Sequence, residues 1–327
     1  KIKIFLKIFI NSPCFITFIR WEWEWLSFSL EQKSILHMYK FIIFNSFVFL
    51  TICFAMPIYS CNQADDSSRV TIAGGSLTEI VYLLEQENKL VAVDITSNFP
   101  EEAKQLPSIG YVRALSAEGV LSLSPSLILG EDDTGPPTVM EQLSRVGIQI
   151  EIIPEENSTD GIIKKVKCVA EILGVDENTK DKTLAILNAD AKELKLLTEM
   201  NKKESPKVMF ILSMESGSPT VGGRDTSADG LIKMTGAVNV MDSFEGWKPV
   251  STEAIIQAKP DFILISERGL NSFGSIEKLG QHPSLVFTPA AKNNNIIAMD
   301  GMAMLGFGPR TISSAKDIAQ KYNYSNE

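Results

Sequence analysis

Ser108–Glu131 reads SIGYVRALSAEGVLSLSPSLILGE, and most of it returns at Ser251–Ser266 as STEAIIQAKPDFILIS. At a constant offset of 135 residues, Ser116 falls on Ser251, Glu118 on Glu253, Val120 on Ile255, Leu121 on Ile256, Pro125 on Pro260, Ile128 on Ile263 and Leu129 on Leu264. In each copy an acidic residue opens a short apolar-periodic segment, which reads as a helix. A proline then stops that helix and is expected to force its predecessor extended. The apolar run that follows has no alternation, as expected of a strand buried on both faces of a parallel sheet. Only the first copy is preceded by Gly110-Tyr111-Val112-Arg113. Two related halves, one of them carrying an extra tyrosine, are the organising feature of the chain.

Strand and helix patterns alternate on either side of the first copy. Arg69–Ala73 reads as a strand, Gly74-Gly75-Ser76 as a tight turn, Thr78–Glu87 as a helix and Leu90–Asp94 as the next strand. The turn lacks the GxGxxG spacing or the Lys-Ser/Thr pair of a phosphate cradle. Thr138–Val146 and Gln149–Ile153 continue the alternation, and Ser158–Leu173 is a helix ending at Gly174. Thr179–Lys202 then runs 24 residues without Pro or Gly, a helix of roughly 36 Å that is long enough to tie two lobes together. Past Pro206 the alternation resumes with Lys207–Leu212, Ser227–Thr235, Ala237–Met241, the second copy, Ser275–Gly280 and Asn295–Met299. A loop, Asp300–Pro309, leads into a closing helix from Thr311. The fold class is α/β: two Rossmann-like lobes with mostly parallel sheets, spanning 69–175 and 204–327. A long backbone helix over 176–203 joins them, and a ligand cleft lies between.

A length of 327 residues suits two domains, and 44% hydrophobic with 22% charged residues is a globular composition. Residues 1–61 hold six Lys/Arg and three Asp/Glu, which leaves 25 against 37 in the remainder, a net charge of −12. So acidic a body excludes nucleic acid, whose binders neutralise phosphate, and suits a partner that presents basic residues. Cys14, Cys53, Cys61 and Cys168 show no metal-site spacing; three fall in the leader, so no disulfide framework is implied, and Cys168 reads as a small buried hydrophobe. With only His37 and His282, His-rich zinc sites and a Ser-His-Asp triad are disfavoured.

Residues 1–37 read as upstream sequence outside the natural product, and 38–61 as a signal peptide. Met38-Tyr39-Lys40 is a short basic start, followed by a largely apolar run of 15 residues, Phe41–Ala55; a spanning helix needs roughly 20. Ile58-Tyr59-Ser60-Cys61 resembles a lipobox, which makes Cys61 the expected acyl-attachment point, and 62–68 reads as a flexible polar tether.

No nucleophile elbow, P-loop or paired-carboxylate site is present in the sequence, which points to binding rather than catalysis. Ser108–Arg113 with Leu115–Leu123 resembles the haem-binding substrate-binding proteins of bacterial ABC-type hemin importers. Gly222–Asp229 and Leu305–Thr311 are similar to that family's second-lobe segments, so the resemblance covers about 69–319. It implies an exported monomer that takes one haem into the interlobe cleft and delivers it to a permease with its ATPase. Tyr111 would ligate the iron as tyrosinate, Arg113 would favour that phenolate, and Arg224 would meet a propionate. Met302 and Met304 would line the porphyrin face as apolar wall, because thioethers pair poorly with ferric tyrosinate iron. Glu118 and Glu253 would meet arginines on the two permease subunits. Trp247 reads as core and His282 as a loop residue. The wider class also carries cobalamin or ferric siderophores, for which Tyr111 merely packs. A two-lobe α/β metalloenzyme is the alternative of another class, and the scarcity of Cys and His in the body counts against it.

Overall fold

β1 (Val70–Ala73) and β3 (Leu127–Glu131) are buried along their whole length, as unalternated apolar runs require. With β2 (Leu90–Val93) and β4 (Gln149–Ile153) they form an all-parallel sheet in the order β2-β1-β3-β4. Helices α1 (Gly75–Leu83), α2 (Ala117–Leu121), α3 (Pro137–Arg145) and α4 (Thr159–Ile172) belong to this lobe. The structure is a computed structural model that describes residues 61–201, 205–214 and 218–324. The expected upstream segment and signal peptide up to residue 60 lie outside the described residues.

The second sheet runs β10-β9-β5-β6-β8, with β7 also paired to β5. β5 (Lys207–Ser213), β7 (Val238–Asn239), β9 (Phe262–Ser266) and β10 (Ile296–Met299) pair in parallel. β6 (Thr220–Gly222) and β8 (Trp247–Pro249) add an antiparallel edge. Its helices are α6 (Ser227–Met234), α7 (Thr252–Ala258), α8 (Glu267–Phe273), α9 (Ile276–Gly280), α10 (Pro289–Lys292), α11 (Gly301–Leu305) and α12 (Pro309–Tyr324). Between the sheets runs α5 (Glu177–Asn201), 25 residues long, with α12 packed along it.

The two copies of the repeat have equivalent structures. β3 lies between β1 and β4, and β9 lies between β5 and β10. Ser116 Oγ accepts from Gly119 N and Ser251 Oγ from Ala254 N, so each serine caps its helix and Glu118 and Glu253 both fall at the second helical position. The residue before each proline departs from expectation. Ser124 and Lys259 have φ of 48° and 49°, the left-handed region. Proline disfavours a right-handed helical predecessor, and a left-handed residue satisfies that restriction while ending the helix. Lys259 N still donates to Ile255 O at 3.2 Å. Arg69 secures the first corner, donating from Nη2 to Leu123 O and from Nε to Ser124 O at 2.6 and 2.8 Å.

Alternate residues of each repeated strand enter different cores, because successive side chains point to opposite faces. Leu127 and Leu129, like Phe262 and Leu264, pack into one cluster that is continuous through both lobes. Val166 of α4, Leu187 and Leu194 of α5, Phe210 of β5 and Ile312 and Tyr322 of α12 belong to it too. Ile128 faces a first-lobe cluster with Val112, Leu115 and Val120. Ile263 and Ile265 face a second-lobe cluster with Met209 and Leu279.

The segment expected to be a free tether is docked on the first lobe. Ala64 is buried, its N donates to Ile172 O at 2.9 Å, and Asp65 N donates to Gln149 Oε1 at 3.0 Å. Cys168 is buried, but its sulfur is bonded to that of Cys61, 107 residues away in sequence. The expectation of a plain buried thiol is corrected accordingly. A sulfur in that bond is unavailable for acylation, so staple and lipid attachment at Cys61 exclude one another on any one molecule.

Candidate functional site in the interlobe cleft

Loops leaving the carboxyl ends of parallel strands are where α/β sheets place ligands, and Tyr111, Arg113 and Met302 lie on connections that follow β2 and β10. Asp94, at the end of β2, accepts from Gly74 N at 3.2 Å and Thr96 N at 3.1 Å, while Thr96 Oγ1 accepts from Gly75 N at 2.9 Å. These bonds pin the loop 94–100 to the turn that opens α1. Ile95 N donates to Gly110 O at 2.9 Å, which sets Tyr111 beside the same loop. Tyr111 is 41% exposed, Ile95 57% and Phe99 45%. Three large apolar side chains left in water on adjacent loops form a surface awaiting a partner.

Tyr111–Ala114 is a turn closed by Ala114 N donating to Tyr111 O at 2.8 Å, not the extended run assumed for Tyr111 and Arg113. The outcome is similar, because Val112 is buried while Tyr111 and Arg113 are exposed on either side of it. Arg113 Nε donates to Asp133 Oδ2 at 2.7 Å. That bond raises the guanidinium's already high pKa. Arg113 therefore stands as a permanent cation next to the tyrosine.

From the second lobe, Arg224 is joined to Glu245 by a backbone bridge and a 3.4 Å contact from Nη2 to Oε1, and it remains half exposed. α11 is capped by Asp300, whose Oδ1 accepts from Ala303 N at 2.9 Å. Met302 on it is half-buried at the meeting of the lobes, with its Cε 2.8 Å from where a Cβ on Gly75 would stand. Met304 is not at the site: it is fully buried in the shared core. Residues two apart on a helix face different ways, so the two methionines cannot share a wall. Trp247 packs edge-on to Phe210 with ring centres 6.0 Å apart, as expected of core. His282 lies against Phe273, and its Nδ1 accepts from Ser284 N.

Ile95, Phe99 and Arg310 escaped the sequence reading. Arg310, at the start of α12, donates from Nη2 to Glu79 Oε1 of the first lobe at 2.6 Å, and lies 3.0 Å from Asp300 Oδ1. Its guanidinium lies over the Phe99 ring, 4.1 Å from the centroid. The sequence contained the Gly-Pro-Arg segment, but nothing in it showed that a first-lobe acid would meet it.

Beneath the Gly74–Ser76 turn, buried Lys165 Nζ donates to Ser76 Oγ, Glu131 Oε1 and Glu155 Oε1 at 3.1, 3.3 and 2.8 Å. Ser76 Oγ also donates to Glu131. Burial pushes the Glu131 carboxyl up to about 7 despite the ammonium beside it. A groove of about 660 Å³ opens between the first turn of α4, α5 and α6, lined in part by Lys192, Lys195 and Lys233; it shares no lining residue with the cleft set. Among the described residues no cluster of three His, Cys, Asp or Glu could hold a metal ion.

The fold and sequence both have relatives. The chain is similar to the periplasmic heme-binding protein RhuT from Roseiflexus sp. RS-1, solved in apo form. The two are 32% identical with a TM-score of 0.72, covering 80% of this chain and 100% of that one. It is 24% identical over 247 residues, 75% of this chain and 76% of the other, to YvrC of Bacillus subtilis (strain 168), named an uncharacterized ABC transporter substrate-binding lipoprotein. It is 25% identical over 256 residues, 78% of this chain and 88% of the other, to a vitamin B12-binding protein of Photorhabdus laumondii subsp. laumondii. The family model described as periplasmic binding protein matches residues 70–303. Two α/β lobes on one long helix and a match to that model over residues 70–303 place the chain in the periplasmic binding protein family.

Proposed function

We propose that this binding protein captures haem in the interlobe cleft and delivers it to an ABC permease. The observation that carries the reading is the exposed Tyr111 with cationic Arg113 beside it and the apolar Ile95 and Phe99 next to it. Ferric iron accepts a tyrosinate ligand. A free phenol has a pKa of about 10, so ligation at neutral pH draws on the metal's charge and on the fixed guanidinium. Arg224 offers a second cation for a propionate once Glu245 is displaced. Hemin titrated into the protein should give a tyrosinate-type charge-transfer band, and Tyr111→Ala should abolish it and weaken retention by at least about a hundredfold. An unchanged band in the mutant would remove Tyr111 from the iron.

Cobalamin is the second reading, favoured by the B12-binding relative. Hydroxocobalamin binding in place of hemin, insensitive to Tyr111→Ala, would establish it.

The family match and the leader expected at 38–61 support an extracytoplasmic location. A lipid anchor draws on the lipobox-like residues 58–61 and on the lipoprotein name of the Bacillus relative. Intact mass of the mature chain decides it. A lipidated chain carries diacylglyceryl on Cys61 with Cys168 free to alkylate, whereas a stapled chain alkylates at neither until reduced.

A further inference from the structure

We infer that Arg310 is the tie that fixes the gap between the two lobes at the cleft, and that ligand retention depends on it. The inference rests on the cleft reading above. The lobes share an apolar core, and Arg310 adds an ionic contact between them. Arg310 holds one carboxylate from each side, Glu79 of α1 in the first lobe and Asp300 ahead of α11 in the second. Glu79 is nearly fully buried, with a side chain 4% exposed, and its Oε2 has no hydrogen-bond partner among the described residues. Such a carboxylate depends heavily on its single cation, because removing one member of a buried pair strands the other.

The backbone is shaped for this contact. A Cβ on Gly308 would stand 3.2 Å from Ser76 Cβ and 3.3 Å from Glu79 Oε2, and one on Gly75 would meet Met302 Cε at 2.8 Å. Glycine on each side lets the 300–310 segment approach the first turns of α1. Phe99 lies beneath the guanidinium with much of its surface in water. The tie therefore also braces a ring of the exposed apolar set. Arg310 is thus a positioning residue: its guanidinium is engaged by two carboxylates and sets where Phe99 and Met302 stand, leaving the ligand to them and to Tyr111.

Arg310→Met removes the cation with a shorter apolar side chain, Glu79→Gln removes the negative charge at unchanged side-chain length, and Arg310→Lys keeps the charge without the planar guanidinium. Hemin transfer to excess apomyoglobin and hydrogen exchange by mass spectrometry are measured on the full chain. In both tie-breaking variants hemin should leave on the order of tenfold faster, with the Tyr111-dependent band unmoved and Arg310→Lys intermediate. Exchange should rise in α1 and α11 together and stay unchanged in β5. Parent-like hemin loss or parent-like exchange in folded Glu79→Gln overturns the inference, even if Arg310→Met fails to fold. If the parent itself shows no Tyr111-dependent band, the haem reading fails instead, and the exchange data alone decide whether Arg310 fixes the gap.

Discussion

Glu131 shows how one buried group makes stability depend on pH. Its carboxyl lies in the Ser76–Lys165 network and is raised from an ordinary 4.5 to about 7, burial being the largest cause. A raised acid binds more protons folded than unfolded between those two values. Its stabilising contribution is therefore fully present below about 4.5 and is lost as pH rises through about 7. Denaturant unfolding at pH 5 and pH 8 should show the parent losing about 1–3 kcal/mol more over that interval than Glu131→Gln. Equal losses would mean that the carboxyl is not so perturbed. At this scale the sequence was partly legible. Tyr111 and Arg113 stood out because the motif precedes only one copy of the repeat, and both are exposed in the cleft loops. Met304 did not follow, because the segment read as loop forms a turn of helix that sends it inward. Cys168 was misread because its partner lies 107 residues away, a pairing that no local pattern encodes.

The repeated element was the most legible part of the fold. An acid, an apolar helix, a proline and an unalternated strand sufficed to place β3 and β9 at the same station in two sheets. What the pattern did not contain was the left-handed corner, since φ at Ser124 and Lys259 is set by how a helix end meets the following strand, not by residue preference. The same equivalence puts Glu118 and Glu253 at matching helix starts, both exposed. Carboxylates there are favoured by the helix dipole, which explains an acid at either helix but not the matched pair across the lobes. We propose that the pair meets basic residues on a two-subunit permease. Rim charges act mainly on orientation and association rate. Glu118→Lys combined with Glu253→Lys should thus cut salt-sensitive complex formation and transport in vesicles holding the permease, each single change doing less, with hemin binding unchanged. Normal transport by the double variant would reduce both glutamates to helix-start acids.

At the scale of the molecule the decisive feature is the cluster that runs unbroken from β1 through α5 to β9 and α12. The long helix was legible as 24 residues without a breaker, and the structure extends it to 25 over Glu177–Asn201. That both lobes would share one core was not legible, since binary pattern shows which residues are buried and not which cluster they join. Interiors packed this closely resist deformation, so the shared core, together with the Arg310 tie, predicts nearly one lobe arrangement with and without a ligand. A carrier of fixed outline gives its permease little by which to tell a full delivery from an empty one. On that prediction empty carriers would occupy the same berth as loaded ones, and cargo-free protein would compete with import. With hemin limiting, uptake into permease vesicles should rise with added carrier, pass through a maximum and fall once carrier outnumbers hemin; a plateau without decline would show that the permease does sense the cargo.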